Sequence, residues 1–189
     1  MNLPVANFTH QFLLAMPGMA DPRFTESVIY MVHHDQDGAV GLVINHATGL
    51  SLEELFNEVA IDVEDRPAWL SARVMSGGPV AAHVGFVLHR DQGQWQSSRV
   101  LQDNLCLTSS RDILQAIAEG RGPEDFLLIL GYAGWGPMQL EQEMVANAWL
   151  NCPFNEQIVF HLPLEQRWLQ AARTMGVDMR LLDIGVGHA

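Results

Sequence analysis

The chain contains no lysine: its ten basic residues, spread from Arg23 to Arg180, are all arginines and stand against 22 acidic residues for a net charge of −12. Without a lysine amine there is no Schiff-base chemistry, and without the P-loop lysine there is no Walker-type nucleotide hydrolysis within this chain. Nucleic-acid binding rests on clustered positive charge, which scattered arginines on an acidic chain do not supply. Anionic membrane surfaces are disfavoured on the same ground. Cysteine is scarce as well. Cys106 and Cys152 sit in no CxxC or metal-ligand spacing, in a chain large enough to fold without staples, and read as reduced thiols of a cytoplasmic protein. A long apolar run is also missing, since the strongest, residues 126–135, is about half of the ~20 residues that a bilayer span requires. No Arg precedes Arg23, so the apolar residues 12–16 lack the positive region of a signal peptide.

Familiar signatures of catalysis are absent too. His33, His34, His46, His83, His89 and His161 fall at or near predicted strand ends, but there is no HExxH, no HxH and no carboxylate at ligand spacing. No metal and no other cofactor is therefore expected. Asp35-Gln-Asp37-Gly38 looks like a fragment of a calcium loop without its closing Glu, and a hairpin explains it fully. No GxSxG elbow occurs, and Ser76, Ser97, Ser98, Ser109 and Ser110 have no sequence-specified base. Cys152 follows a predicted helix C-terminus, where the dipole disfavours a thiolate.

What is present points to one folded domain spanning residues 1–189. Some 48% of residues are hydrophobic and 17% charged, the mean hydropathy is +0.06, and the length fits a single unit at about 150 residues per domain. Strand-like and helical periods alternate, so both element types share a core. Residues 27–33 and 40–45 predict a hairpin turning at Asp37-Gly38. Ser51 and Glu54 form a capping box ahead of a helix whose stripe is Leu52, Leu55, Phe56 and Val59. Residues 62–73, with Arg66-Pro67, read as a connecting excursion. A second hairpin is expected from residues 84–89 and 95–101, and a helix capped by Ser109 or Ser110 ends at Gly120. Residues 126–130 read as a strand buried on both faces, Pro137 opens a helix to about Leu150, residues 158–161 are a strand, and residues 164–175 a last helix.

The candidate site gathers around glycines and aromatics. Between strand and helix, Gly131-Tyr-Ala-Gly134-Trp-Gly136 has the layout of an anion cradle in the order GxxGxG, but Pro137 removes a donor and Glu141 and Glu143 already bring negative charge. Tyr132 and Trp135 keep a small-molecule pocket in play. On the following helix Gln139, Glu143 and Asn147 share a face, which is either a solvated stripe or a polar row facing a cleft. Gly77-Gly78-Pro79 reads as a strand-opening turn or a backbone nest for an anion.

Taken together, Phe12-Leu-Leu-Ala-Met-Pro17, Asp21-Pro22, Gly41-Leu-Val-Ile-Asn45, Gly77-Gly-Pro-Val80, Gly85-Phe-Val-Leu-His89, Gly131-Tyr-Ala-Gly-Trp135, Gln139-Leu-Glu141 and Asn147-Ala-Trp-Leu150 closely resemble the AlgH/YqgE family of bacterial cytosolic proteins. The resemblance covers nearly the whole chain. It implies an α+β fold: a single mixed α/β domain with a barrel-like or bifurcated, largely antiparallel sheet flanked by helices. It supplies no reaction, since the family is functionally uncharacterised, some members being labelled transcriptional regulators. The chain departs from the family at His46-Ala47, His83-Val84, Met138, Phe154-Asn155 and His161, several of them positions where relatives carry charge, which lowers an enzymatic reading. The expectation is a cytoplasmic, non-enzymatic binding or regulatory protein that recognises a protein partner or small ligand, with no direct nucleic acid and no membrane. Its candidate binding residues are Asn45, Gly77, Gly78, Tyr132, Trp135, Gln139, Glu143, Asn147 and Trp149. The alternative is an enzyme acting on a small phosphorylated or nucleotide-like substrate in a pocket near Gly77-Gly78 and Gly131 to Gly136.

Overall fold

The structure, a computed structural model, describes residues 7–182 apart from 64, 66, 91 and 92. The regular elements are β1 (Gln11–Ala15), β2 (Val28–Asp35), β3 (Gly38–Val43), β4 (Ala47–Ser51), α1 (Leu52–Glu58), β5 (Arg73–Ser76), β6 (Val80–Arg90), β7 (Ser98–Val100) and β8 (Leu105–Thr108). They continue with α2 (Arg111–Ala118), β9 (Phe126–Trp135), α3 (Gln139–Val145), β10 (Trp149–Pro153), α4 (Glu156–Phe160), α5 (Leu164–Thr174) and α6 (Met179–Leu182). Among the described residues no helix is long and apolar enough to cross a membrane.

The strands form one sheet with main order β10-β1-β2-β3-β9-β6-β8-β7, while β4 pairs with β5 and β5 joins β9. Its pairings are antiparallel except β5 with β9, where Met75 meets Ile129. Strand β9 is where the sheet divides. Its first half lies along β6, and its last residues pair with β3 at Gly41↔Ala133 and Ala39↔Trp135. The mixed, bifurcated and largely antiparallel architecture is thus the one the family resemblance implied.

Alternation along β1 shows why this sheet is covered on both faces. Phe12 and Leu14 enter a core completed by Trp168, Ala171 and Ala172 of α5, whereas Leu13 and Ala15 enter a second core closed by Leu140 of α3. A third core packs Leu55 and Phe56 of α1 and Ile113 and Ile117 of α2 on Val74, Val87 and Leu128. A side chain this buried contributes about 1.5–3 kcal/mol. Side chains link distant parts of the curled sheet. His10, just before β1, places Nδ1 2.9 Å from the Tyr30 hydroxyl and Nε2 2.9 Å from Asp103, in the turn between β7 and β8. On α5 the buried Arg167 donates from Nε to the Leu162 carbonyl and from Nη1 to the Ile44 carbonyl, tying the helix to the end of β3. Burial pushes its guanidinium down to about 10, which leaves it charged at neutral pH.

Several expectations hold in detail. Ser51 and Glu54 exchange both bonds of the capping box, Gly120 follows α2, and α5 runs from Leu164 to Thr174. Others are corrected. Residues 95–101 supply β7, but its partner is β8, and it is β8 and β9 that flank β6. The hairpin turns at Asp103 and Asn104, both at positive φ, as a primed two-residue turn demands. The excursion around Arg66 and the loop at residues 91–92 include positions outside those described.

The glycine-rich stretch from Gly131 is strand rather than loop, because β9 continues to Trp135. The helix expected from Pro137 begins only at Gln139, after a left-handed Met138 at φ 61°, and stops at Val145, with Asn147 left-handed at φ 56°, so that Trp149–Pro153 can become the strand that covers the edge of β1. Finally, Ile158 and Val159 belong to a helix, since Asn155 caps it by accepting from the Gln157 N–H. A short apolar run does not by itself separate strand from helix.

Candidate functional site

Glu143 is the hub of the predicted polar row. One of its oxygens accepts from the Trp135 indole N–H at 2.9 Å and the Trp149 indole N–H at 2.8 Å, and the other accepts from the Gln139 amide at 2.9 Å. The Gln139 carbonyl oxygen accepts in turn from the Gly136 N–H at 3.0 Å. The two indoles meet edge to face, 5.9 Å between centroids, and Phe24 packs edge-on against Trp149. Four candidates, Trp135, Gln139, Glu143 and Trp149, therefore form a clasp that binds α3 to β9 and β10. Its hydrogen bonds are spent on the protein itself, and both tryptophans are buried.

The remaining candidates lie in other arrangements. Asn45 accepts from the Val28 N–H at 2.7 Å and donates to the Glu26 carbonyl at 2.8 Å, fixing the chain as it enters β2. Gly77 gives its N–H to Leu130 and its carbonyl to the Val43 N–H, so it lengthens the β5 pairing. A Cβ on Gly77 would stand 2.3 Å from the Gly131 carbonyl oxygen, and one on Gly78 2.3 Å from the Tyr132 carbonyl carbon. These glycines let backbone touch backbone where the sheet divides, and that contact occupies the space in which an anion nest or substrate pocket between the two turns was expected. Tyr132 is half-buried with its ring edge toward Phe86, and Asn147 is exposed at the end of α3.

An open cleft lies elsewhere. It measures about 260 Å³ between α1, α2 and the face of β6, β8 and β9. Leu55, Phe86, Val87, Leu114, Leu128 and Leu130 make its apolar walls, and His83, Thr108, Ser109, Ser110 and Arg111 supply its polar groups. Arg111 sits at the start of α2 and donates to the Val59 and Ala60 carbonyls at the end of α1, at 2.5 and 3.3 Å. A cation is favoured there by the helix dipole, and the bridge holds the two helices apart as walls. Asp112 fastens the neighbouring segment, accepting from the Ser110 hydroxyl and the Gln96 N–H. Burial works upward on its carboxyl, but those hydrogen bonds prevail and hold it below the usual range.

None of these cleft residues was singled out from sequence as a ligand contact, because α1 and α2 are brought together by the crossing of β6 and β9, which no local spacing announces. Tyr30, His10 and Asp103 escape sequence reasoning for the same reason. Their bonds give the outline of a carboxylate–imidazole–hydroxyl relay, but Tyr30 at its end is buried, so the arrangement ties β2 to the turn between β7 and β8. Among the described residues no three His, Cys, Asp or Glu converge to hold a metal ion.

Comparison with known proteins matches residues 12–180 to the family described as AlgH-like. A UPF0301 protein of Thioalkalivibrio sulfidiphilus is 47% identical over 184 residues, covering 97% of this chain and 98% of the relative. Another from Alcanivorax borkumensis is 47% identical over 188 residues and covers 100% of both. The solution structure of the AlgH protein from Pseudomonas aeruginosa matches with a TM-score of 0.78 and 44% identity, over 100% of this chain and 99% of that one. A crystal structure from Corynebacterium diphtheriae, 21% identical with a TM-score of 0.71 over 97% and 94% of the two chains, shares the fold.

Proposed function

We propose, on the premise that this chain belongs to the AlgH-like family, that it is a non-enzymatic binding and regulatory protein whose ligand occupies the cleft between α1 and α2. The observation that carries this reading is the cleft's composition: apolar walls, with hydroxyls and the Arg111 guanidinium grouped where α2 begins. Such a site suits a small molecule with an apolar body and an anionic or hydrogen-bond-accepting end. Its volume of about 260 Å³ falls just under the ~300–1,000 Å³ that larger ligands fill. In this reading the glycine, tryptophan and amide candidates support the cleft from behind by holding the sheet in shape. Any effect on transcription is indirect, because a chain at −12 without lysine repels DNA at physiological ionic strength.

The test uses 1-anilinonaphthalene-8-sulfonate, which joins an apolar body to an anionic end. It is expected to bind the native chain saturably at one site and to be displaced by short-chain carboxylates. Leu114→Glu places a charge against the apolar walls and is expected to weaken binding at least about tenfold, which is about 1.4 kcal/mol. Absence of saturable binding, or equal binding to Leu114→Glu, contradicts the assignment.

A further inference from the structure

Ser98 lies exposed on the short edge strand β7, opposite Thr108 of β8. Its hydroxyl is 2.7 Å from the Thr108 hydroxyl, which is 2.8 Å from Nε2 of His89. On the far side of the imidazole, Nδ1 is 2.6 Å from the Arg90 carbonyl oxygen. Thr108 and His89 are fully buried, and the Trp95 ring stands edge-on to the imidazole at 4.9 Å.

The chemistry of the partners orients each proton in this chain. A carbonyl oxygen only accepts, so an imidazole in its neutral form carries its proton on Nδ1 here and presents the Nε2 lone pair. Thr108 therefore donates to Nε2. Its oxygen is left to accept, and the remaining bond must carry the Ser98 proton inward. Ser98 Oγ then faces solvent with lone pairs alone, and its proton is aimed along a relay toward a base. A serine–threonine pair would suffice to hold β7 on β8; the buried imidazole behind it adds what an activated nucleophile requires.

We propose that Ser98 is an activated nucleophile that accepts an acyl group from an activated ester. In the step, Ser98 Oγ bonds to the ester carbonyl carbon and the bond from that carbon to the leaving oxygen breaks. The Ser98 proton passes to Thr108 Oγ1, and the Thr108 proton passes to His89 Nε2. The leaving group departs as its anion, and the imidazolium keeps its second proton on the Arg90 carbonyl. The relay is independent of what the cleft binds, although Thr108 belongs to both, so the proposal stands or falls apart from the ligand assignment.

The full chain treated with p-nitrophenyl acetate is expected to release one equivalent of p-nitrophenolate and to carry one acetyl group, mapped to Ser98 by mass spectrometry. Exposed Ser97 and Ser109 are internal controls in the same molecule, and acetylation of Ser98 is expected to outpace both. Ser98→Ala removes the adduct. Thr108→Val interrupts the relay and is expected to slow acetylation about 100-fold, the lower range of general-base assistance, while Thr108→Ser restores it. Should either Thr108 variant fold poorly by near-ultraviolet circular dichroism, the native comparison with Ser97 and Ser109 still decides. An Ser98 acetylated no faster than those two, or a folded Thr108→Val acetylated at the native rate, overturns the proposal.

Discussion

Around Glu143 a carboxylate collects two indole N–H groups and an amide, and around His89 an imidazole collects a threonine and, through it, a serine. The Glu143 network joins elements that follow one another in the chain, from Trp135 to Trp149, whereas the His89 network reaches from β6 across to β8 and β7; both involve side chains that sequence inspection treats as potential chemistry. Their ends differ. The Glu143 network returns to the backbone at Gly136, whereas the His89 network finishes on a hydroxyl in solvent. A polar cluster whose donors and acceptors are consumed internally fixes geometry; one that leaves a lone pair facing outward can also react.

The widest separation between the two regions is expected in stability. Trp149→Ala empties a buried site and unpairs part of the clasp, and urea unfolding is expected to show a loss of about 3–5 kcal/mol. A loss below about 1 kcal/mol would mean that the clasp is not a structural centre. Next comes Glu143→Gln, which keeps the shape. Its single carbonyl oxygen can still serve both indoles, but its NH₂ then faces the Gln139 NH₂; if Gln139 turns its amide, Gly136 loses its acceptor. The expected cost is about 1–3 kcal/mol, with tryptophan fluorescence reporting the disturbed indole pair.

The smallest effect belongs to the other region and depends on pH. Asp112, which pins the segment before β7 to α2, has its carboxyl held below the usual 3.8. Its contribution is thus complete above that value and is lost as pH falls through the depressed folded-state value, because the unfolded chain takes up the proton first. Hydrogen exchange at the Gln96 N–H is expected to gain protection from Asp112 in the native chain near neutral pH and to lose that advantage under acid. Asp112→Asn should remove the pH dependence. An exchange profile identical in both chains would separate Asp112 from the anchoring of β7.

Sequence reasoning reached the features that short-range physics specifies. The capping box at Ser51 and Glu54, the Gly120 stop and the span of α5 depend on neighbours within a turn or two, and each is found where expected. The turn at Asp103-Asn104 was legible in principle, since these residue types tolerate positive φ, but reading residues 95–101 as the hairpin partner of residues 84–89 joined the strand to the wrong neighbour. Gly131 to Trp135 read as a loop because glycines interrupt it, and only the approach of Gly77 and Gly78 explains why a strand should carry them. The family's fold was legible as a combination of motifs. Its candidate residues were drawn toward the clasp, which the sequence marks with tryptophans and amides, and away from the α1–α2 cleft, whose walls are ordinary leucines and valines.

The position of β9 has a consequence for how the molecule is made. Its partners come from β3, β5 and β6, all synthesised earlier, so those strands emerge from the ribosome before the one that unites them. β1 waits longer still: Gln11 pairs with Pro153 and Ala15 with Trp149, so one of its edges stays open until almost the whole sheet has been translated. Pairing across such separations is slow, and an unpaired apolar strand is a template for contact between nascent chains. Phe12-Leu-Leu-Ala15 is therefore the segment that an early-acting chaperone would have the most reason to shield, and a truncation ending before residue 149 should aggregate through it.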